Sequence, residues 1–126
     1  MKTYKSTIIL IGLLTLFSLF FAACGSTPSG PNQVHMNDSN FTQDSITIKK
    51  GETITLVNDT MTAHIIENGT WDTNGNAKSG QEAGAPKVDY NVGGYANQSV
   101  GPFNTAGTFE IYCTIHPSMK FTIIVQ

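Results

Sequence analysis

Arginine is absent from the 126 residues, and charged side chains of any kind make up only 13% of them. The basic residues are seven lysines, set against nine acids, for a formal net charge of −2. Nucleic-acid binding draws its affinity from lysine and arginine neutralising phosphates, so an acidic chain without arginine is a poor candidate for that class. Histidine occurs three times, cysteine twice and tryptophan once. No internal repeat is visible. No Ser-His-Asp set, HExxH, phosphate loop or paired-carboxylate signature stands out either. The longest apolar run, residues 8–21, is interrupted by Gly12, Thr15 and Ser18. It falls short of the roughly 20 residues that a comfortable membrane span needs.

That run is informative for what surrounds it. Lys2 and Lys5 precede it and Ala22-Ala23-Cys24 follow, giving the basic start, apolar middle and small-residue cut site of an export signal. The cysteine directly after two alanines resembles a bacterial lipoprotein signal, cut before Cys24 with lipid added to its sulfur. Phe21 stands where such signals usually carry leucine. An uncleaved N-terminal anchor and ordinary secretion are the alternatives. The expected organisation is a signal peptide at 1–23, a lipidated Cys24 with a flexible linker to residue 33, and one domain at 34–126. Without the leader five lysines face nine acids, a net charge of −4.

Two cysteines in an exported protein ordinarily suggest a disulfide. A lipidated Cys24 cannot pair, which leaves Cys113 as a lone thiol in an oxidising compartment, a liability unless buried or coordinated. Residues 25–32, rich in Gly, Ser and Pro, read as a disordered tether. His35, just beyond it, reads as an exposed residue at the domain's edge.

From Ser45 onward the pattern is β. Ile46 and Ile48 alternate with polar residues, Lys50-Gly51 makes a turn, and Ile54 and Leu56 resume the alternation. Val57-Asn58-Asp59-Thr60 ends that strand and His64-Ile65-Ile66 begins another. Residues 67–94 are rich in Gly, Asn, Asp and Thr. They are long for a structureless loop and call for a short helix or irregular strands within. Trp71 reads as a packing plug for this segment. A strand is expected over 99–103 and the clearest one over 108–113, with Phe109, Ile111 and Cys113 on its inward face. Residues 120–125 close the fold with Phe121, Ile123 and Val125 on one side. The four Asn-x-Ser/Thr triplets, at Asn40, Asn58, Asn68 and Asn97, read as ordinary turn sequence. Many short strands with Gly-rich turns indicate an all-β antiparallel sandwich.

The strand ending at Cys113 runs into Cys113-Thr114-Ile115-His116-Pro117-Ser118-Met119. A thiolate, an imidazole and a thioether therefore follow one another at three-residue intervals, and His64 can supply a second imidazole. Two His, one Cys and a weak Met form the ligand set of a mononuclear electron-transfer copper centre. Three extended residues reach about 10 Å, too far for ligands of one ion, so segment 114–119 must turn back on itself. Pro117 fixes its own φ and biases His116 toward an extended backbone. Thiolate and imidazole tolerate both Cu(I) and Cu(II), and thioether softness favours the reduced ion. Met61 is a competing thioether, but Met119 shares a loop with two other ligands.

The Tyr112-Cys113-x-x-His116 loop with Met119, and Lys50-Gly51-Glu52-Thr53-Ile54-Thr55-Leu56-Val57-Asn58 followed by His64, resemble the cupredoxins, the small blue copper proteins. The match spans roughly residues 40–66 and 99–126, and the short ligand loop looks most like that of the amicyanins. This resemblance implies a Greek-key β-sandwich, with His64, Cys113, His116 and Met119 around one copper ion and electrons passing through the exposed edge of His116. Plastocyanin and amicyanin place Asn after the first histidine, where its side chain ties the two ligand loops together. Ile65 stands there in this chain, so Thr114 is expected to lack that partner.

The expected function is an extracytoplasmic, membrane-tethered electron carrier, a monomer shuttling between larger redox proteins. The alternative is a copper buffer or delivery protein on the cell surface. An enzyme is the least favoured reading, because three histidines cannot build this centre plus a second catalytic copper site.

Overall fold

A computed structural model of the chain describes residues 31–126. The expected signal peptide, Cys24 and the linker up to residue 30 lie outside the described residues. The described residues form nine strands and no helix. In chain order these are β1 (Gln33–Met36), β2 (Ser45–Ile48), β3 (Ile54–Asn58), β4 (His64–Trp71), β5 (Ala77–Ser79), β6 (Asp89–Val92), β7 (Asn97–Val100), β8 (Gly107–Cys113) and β9 (Lys120–Val125).

Two sheets result, one ordered β1-β3-β7 and one ordered β2-β9-β8-β4-β5, with β6 also pairing to β4. The period-two alternation of apolar residues explains why they stack. Ile54 and Leu56 in β3, Phe109 and Ile111 in β8, and Phe121 and Ile123 in β9 are all buried. They belong to one contiguous apolar cluster. Burying each such side chain stabilises the fold by about 1.5–3 kcal/mol. Phe41 and Phe121 add a tilted ring pair with centroids 5.1 Å apart.

The all-β sandwich is as expected, and its central ladders, β8 with β9 and β4 with β8, are antiparallel. Two pairings are parallel in addition, β1 with β3 and β2 with β9. Parallel neighbours need a crossover rather than a tight turn. For β2 and β9 that crossover is the whole intervening fold. The segment 67–94 contains strands rather than a helix: the second half of β4, then β5 and β6.

One register decides where the chemistry sits. Ile66 pairs with Cys113 in the antiparallel β4–β8 ladder, so the start of β4 lies beside the end of β8. Residues 49 positions apart in sequence, His64 and Cys113, thereby reach the same rim of the sandwich.

Candidate metal centre

His64 opens β4 and is fully buried. The loop that delivers it is tied down by Asn58, the buried last residue of β3. Asn58 Nδ2 donates to the carbonyls of Thr62 (2.7 Å) and Gly93 (2.9 Å). Its Oδ1 accepts from the Thr60 N–H at 3.1 Å and from the Thr60 hydroxyl at 3.3 Å. The Tyr95 N–H donates in turn to the Thr60 carbonyl at 2.8 Å. Both faces of the loop are therefore fixed before His64 enters the sheet.

Cys113 ends β8 with its thiol buried, and it is the free cysteine among the described residues. The loop after it is closed by main-chain bonds. The Cys113 N–H donates to the Met119 carbonyl at 3.0 Å and the Met119 N–H to the His116 carbonyl at 3.1 Å. Ser118 completes the turn with φ +70°, a left-handed conformation uncommon outside glycine. The expected reversal of segment 114–119 is thus present.

His116 Nδ1 lies 3.3 Å from Cys113 Sγ and 3.1 Å from His64 Nδ1. One ligand atom from each of His64, Cys113 and His116 falls within 4.8 Å of the others. The two imidazoles meet edge to face, centroids 4.8 Å apart. His116 is half-buried, while Met119 is fully enclosed. His35 lies apart from this cluster, where it pairs with Asp59 at 2.9 Å.

The electrostatics suit a ligand role. Burial, with His116 as a second cause, holds the His64 pKa below its ordinary 6.5, while the Asn37 backbone and Asp38 act the other way. A neutral imidazole presents the lone pair that metal binding requires. Nδ1 is the His64 nitrogen that faces the site, 3.1 Å from His116 Nδ1, which leaves Nε2 on the buried side of the ring. Asp38, near both histidines, is kept ionised by hydrogen bonds from Thr62 and Thr60.

Three donor atoms, two pairs of them at 3.1 and 3.3 Å and all within 4.8 Å of one another, fit around one ion at bond lengths of roughly 2.0–2.3 Å. One thiolate and two imidazoles suit copper in both oxidation states.

Residues 29–126 match the family of copper-binding proteins described as plastocyanin/azurin. The chain belongs to that family. Its fold is similar to amicyanin from Paracoccus versutus (Thiobacillus versutus), at 24% identity and TM-score 0.59, over 80% of this chain and 86% of that one. A purple cupredoxin from Nitrosopumilus maritimus has 18% identity and TM-score 0.53, over 74% of this chain and 99% of that one. A reduced Cu(I) form of an amicyanin variant has 21% identity and TM-score 0.56, over 84% and 87%. Comparison with curated protein sequences gives no match. The cupredoxin's cofactor is one copper ion, and His64, Cys113 and His116 supply donors in the right place for it.

The substitution of Ile65 has a specific outcome. With no Asn side chain there, the tie between the two ligand segments runs through the main chain. The Thr114 N–H donates to the Ile65 carbonyl at 2.9 Å.

Two supporting residues escaped the sequence reading. Asn58 lay in a stretch that read as a turn, and its burial has no composition signal. Trp71 read as a plug, yet its indole N–H donates to the Cys113 carbonyl at 3.1 Å. Its being the sole tryptophan in a polar segment was the available clue.

Proposed function

We propose that this cupredoxin is an electron carrier, cycling one copper ion between Cu(II) and Cu(I) while tethered by a lipidated Cys24 to the outer face of a cell membrane. The observation that carries the electron-transfer reading is the convergence of His64, Cys113 and His116 within 4.8 Å, two of them fully buried. Burial disfavours the more highly charged oxidised site and raises the potential. A preformed donor set changes little between oxidation states, which favours fast transfer. Met119 is the weak fourth ligand, buried on the same loop as Cys113 and His116. Half-buried His116 is the exit for electrons, flanked by exposed Ile115, and larger redox proteins are the donor and acceptor. The protein acts as a monomer and a carrier rather than an enzyme. An open polar hollow of about 250 Å³ beside Glu67, Asn68 and Lys87 shares no residue with the ligand set. The leader, with Lys2, Lys5 and Ala22-Ala23-Cys24, supports export and anchoring.

Addition of Cu(II) to the apo-protein should produce an intense thiolate-to-copper band that ascorbate bleaches and reoxidation restores. Cys113→Ser should abolish the band. Met119→Leu should retain copper and change the potential. Binding of Cu(I) alone, with rapid exchange and no persistent colour, would refute the carrier reading. Fatty-acid labelling that persists in Cys24→Ala would refute the anchor.

A further inference from the structure

Trp71 lies 42 residues before the cysteine whose carbonyl it contacts, and a straight β4 would not bring them together. Ile66 pairs with Cys113. Five further strand residues would carry Trp71 roughly 17 Å past that point. The chain instead leaves the β4–β8 ladder after Asn68 and pairs with β5, with Gly69 opposite Ser79 and Trp71 opposite Ala77. Gly69 has φ +130°, and a Cβ there would overlap the Lys78 carbonyl oxygen and press on the Tyr112 ring at 3.0 Å. Only a bare α-carbon lets the hairpin lie this close.

Trp71 is then fixed by three contacts. Its ring meets Tyr112 edge to face, centroids 5.9 Å apart at 82°. Its own carbonyl accepts from Lys120 Nζ at 3.4 Å. Its Nε1–H donates to the Cys113 carbonyl at 3.1 Å. Packing alone would need only the ring, because an aromatic face covers Tyr112 with or without a donor. The indole N–H is aimed at the peptide that immediately follows the thiolate ligand. With the Cys113 N–H bound to the Met119 carbonyl, both main-chain polar groups of the ligand are held.

We propose that Trp71 is a positioning residue for the thiolate: by anchoring the Cys113 carbonyl it sets the direction in which Sγ is presented to copper. This rests on the copper reading above. Groups that orient a metal ligand from behind are worth about 10–100-fold in affinity. The N–H also places a partial positive charge near the site, which favours the reduced, less charged state.

The test is Trp71→Phe, which keeps a ring over Tyr112 and removes the donor. In the copper form, the variant should bind copper about tenfold more weakly, at the lower end of that range, with a shifted thiolate-to-copper band and a lower potential. In the apo-protein, with no metal involved, Cys113 should react faster with iodoacetamide. Wild-type affinity, band, potential and alkylation rate in a folded variant would overturn the proposal. If Trp71→Phe does not fold, the wild-type protein still decides. Its sole indole N–H should give one NMR resonance that exchanges slowly with solvent, and rapid exchange would overturn the proposal. Absence of a visible band in wild-type protein would defeat the copper reading alone, and the apo-protein alkylation and exchange results would still judge Trp71.

Discussion

Asn58→Ala tests the claim that one buried side chain holds the loop entering the site. Asn58 is 2% exposed and makes four hydrogen bonds, three of them to main-chain groups of Thr60, Thr62 and Gly93. A net hydrogen bond is worth about 1 kcal/mol, and a buried polar group left without its partner costs about 1–3 kcal/mol. Thr60, Thr62 and Gly93 are half-buried, so water can replace part of what is lost. The expected destabilisation is therefore about 3 kcal/mol, toward the lower end of that sum. In urea, with a slope of about 1 kcal/mol/M for a small domain, the midpoint of the apo-protein should fall by roughly 3 M. Asn58→Asp preserves shape but turns two donors into an acceptor facing two carbonyls, so it should cost at least as much. Because the loop delivers His64, both variants should also bind copper more weakly. A midpoint loss under about 1 M, with unchanged copper binding, would refute the assignment of Asn58 as the tie.

Gly69→Ala should cost more than about 2 kcal/mol, since a side chain there meets backbone that cannot yield and a strained φ; thermal unfolding measures this, and a near-neutral effect would mean that the β4–β5 hairpin shifts freely. Acid should destabilise the apo-protein through His64. Its pKa is lowered in the fold, so protons bind the unfolded chain more readily. The stability from this group is complete above its unfolded pKa of 6.5 and is lost as pH falls through the lower folded value. The urea midpoint should therefore drop as pH falls from about 7.5 through the lowered folded pKa, more steeply than in His64→Gln; parallel slopes in the two proteins would refute this. Ile66→Ala, in β4 directly opposite Cys113 and fully buried, should cost about 2–5 kcal/mol, read from the urea midpoint.

The parts of the fold legible in the sequence were those where apolar inward-facing residues recur at every second position. Phe109, Ile111 and Cys113 in β8, and Phe121, Ile123 and Val125 in β9, face inward as their spacing requires. The second half of β4 was not legible, because polar Asn68 occupies a buried position in it. Its side chain is satisfied by the Val88 N–H at 2.7 Å and the Pro86 carbonyl at 3.1 Å, partners about 20 residues away that no local pattern announces. Strand β1 was missed for a different reason. With only Val34 and Met36 buried in four residues, it gains its identity from lying parallel to β3. At the site, the three donors were legible as residue types at a spacing. The supports from Asn58 and Trp71 were not, because each acts on a distant stretch of main chain.

The ligand loop is fastened at its ends by main-chain atoms of Cys113, Thr114, Ile65, His116 and Met119. None of those bonds uses the side chains of Ile115 or Pro117, both of which are exposed. At Ile115 the rim around His116 can therefore be recoloured without disturbing the clasp beneath it, whereas Pro117 also restrains the loop's backbone. A lineage could change whom this protein trades electrons with while leaving the ion's cradle as it was.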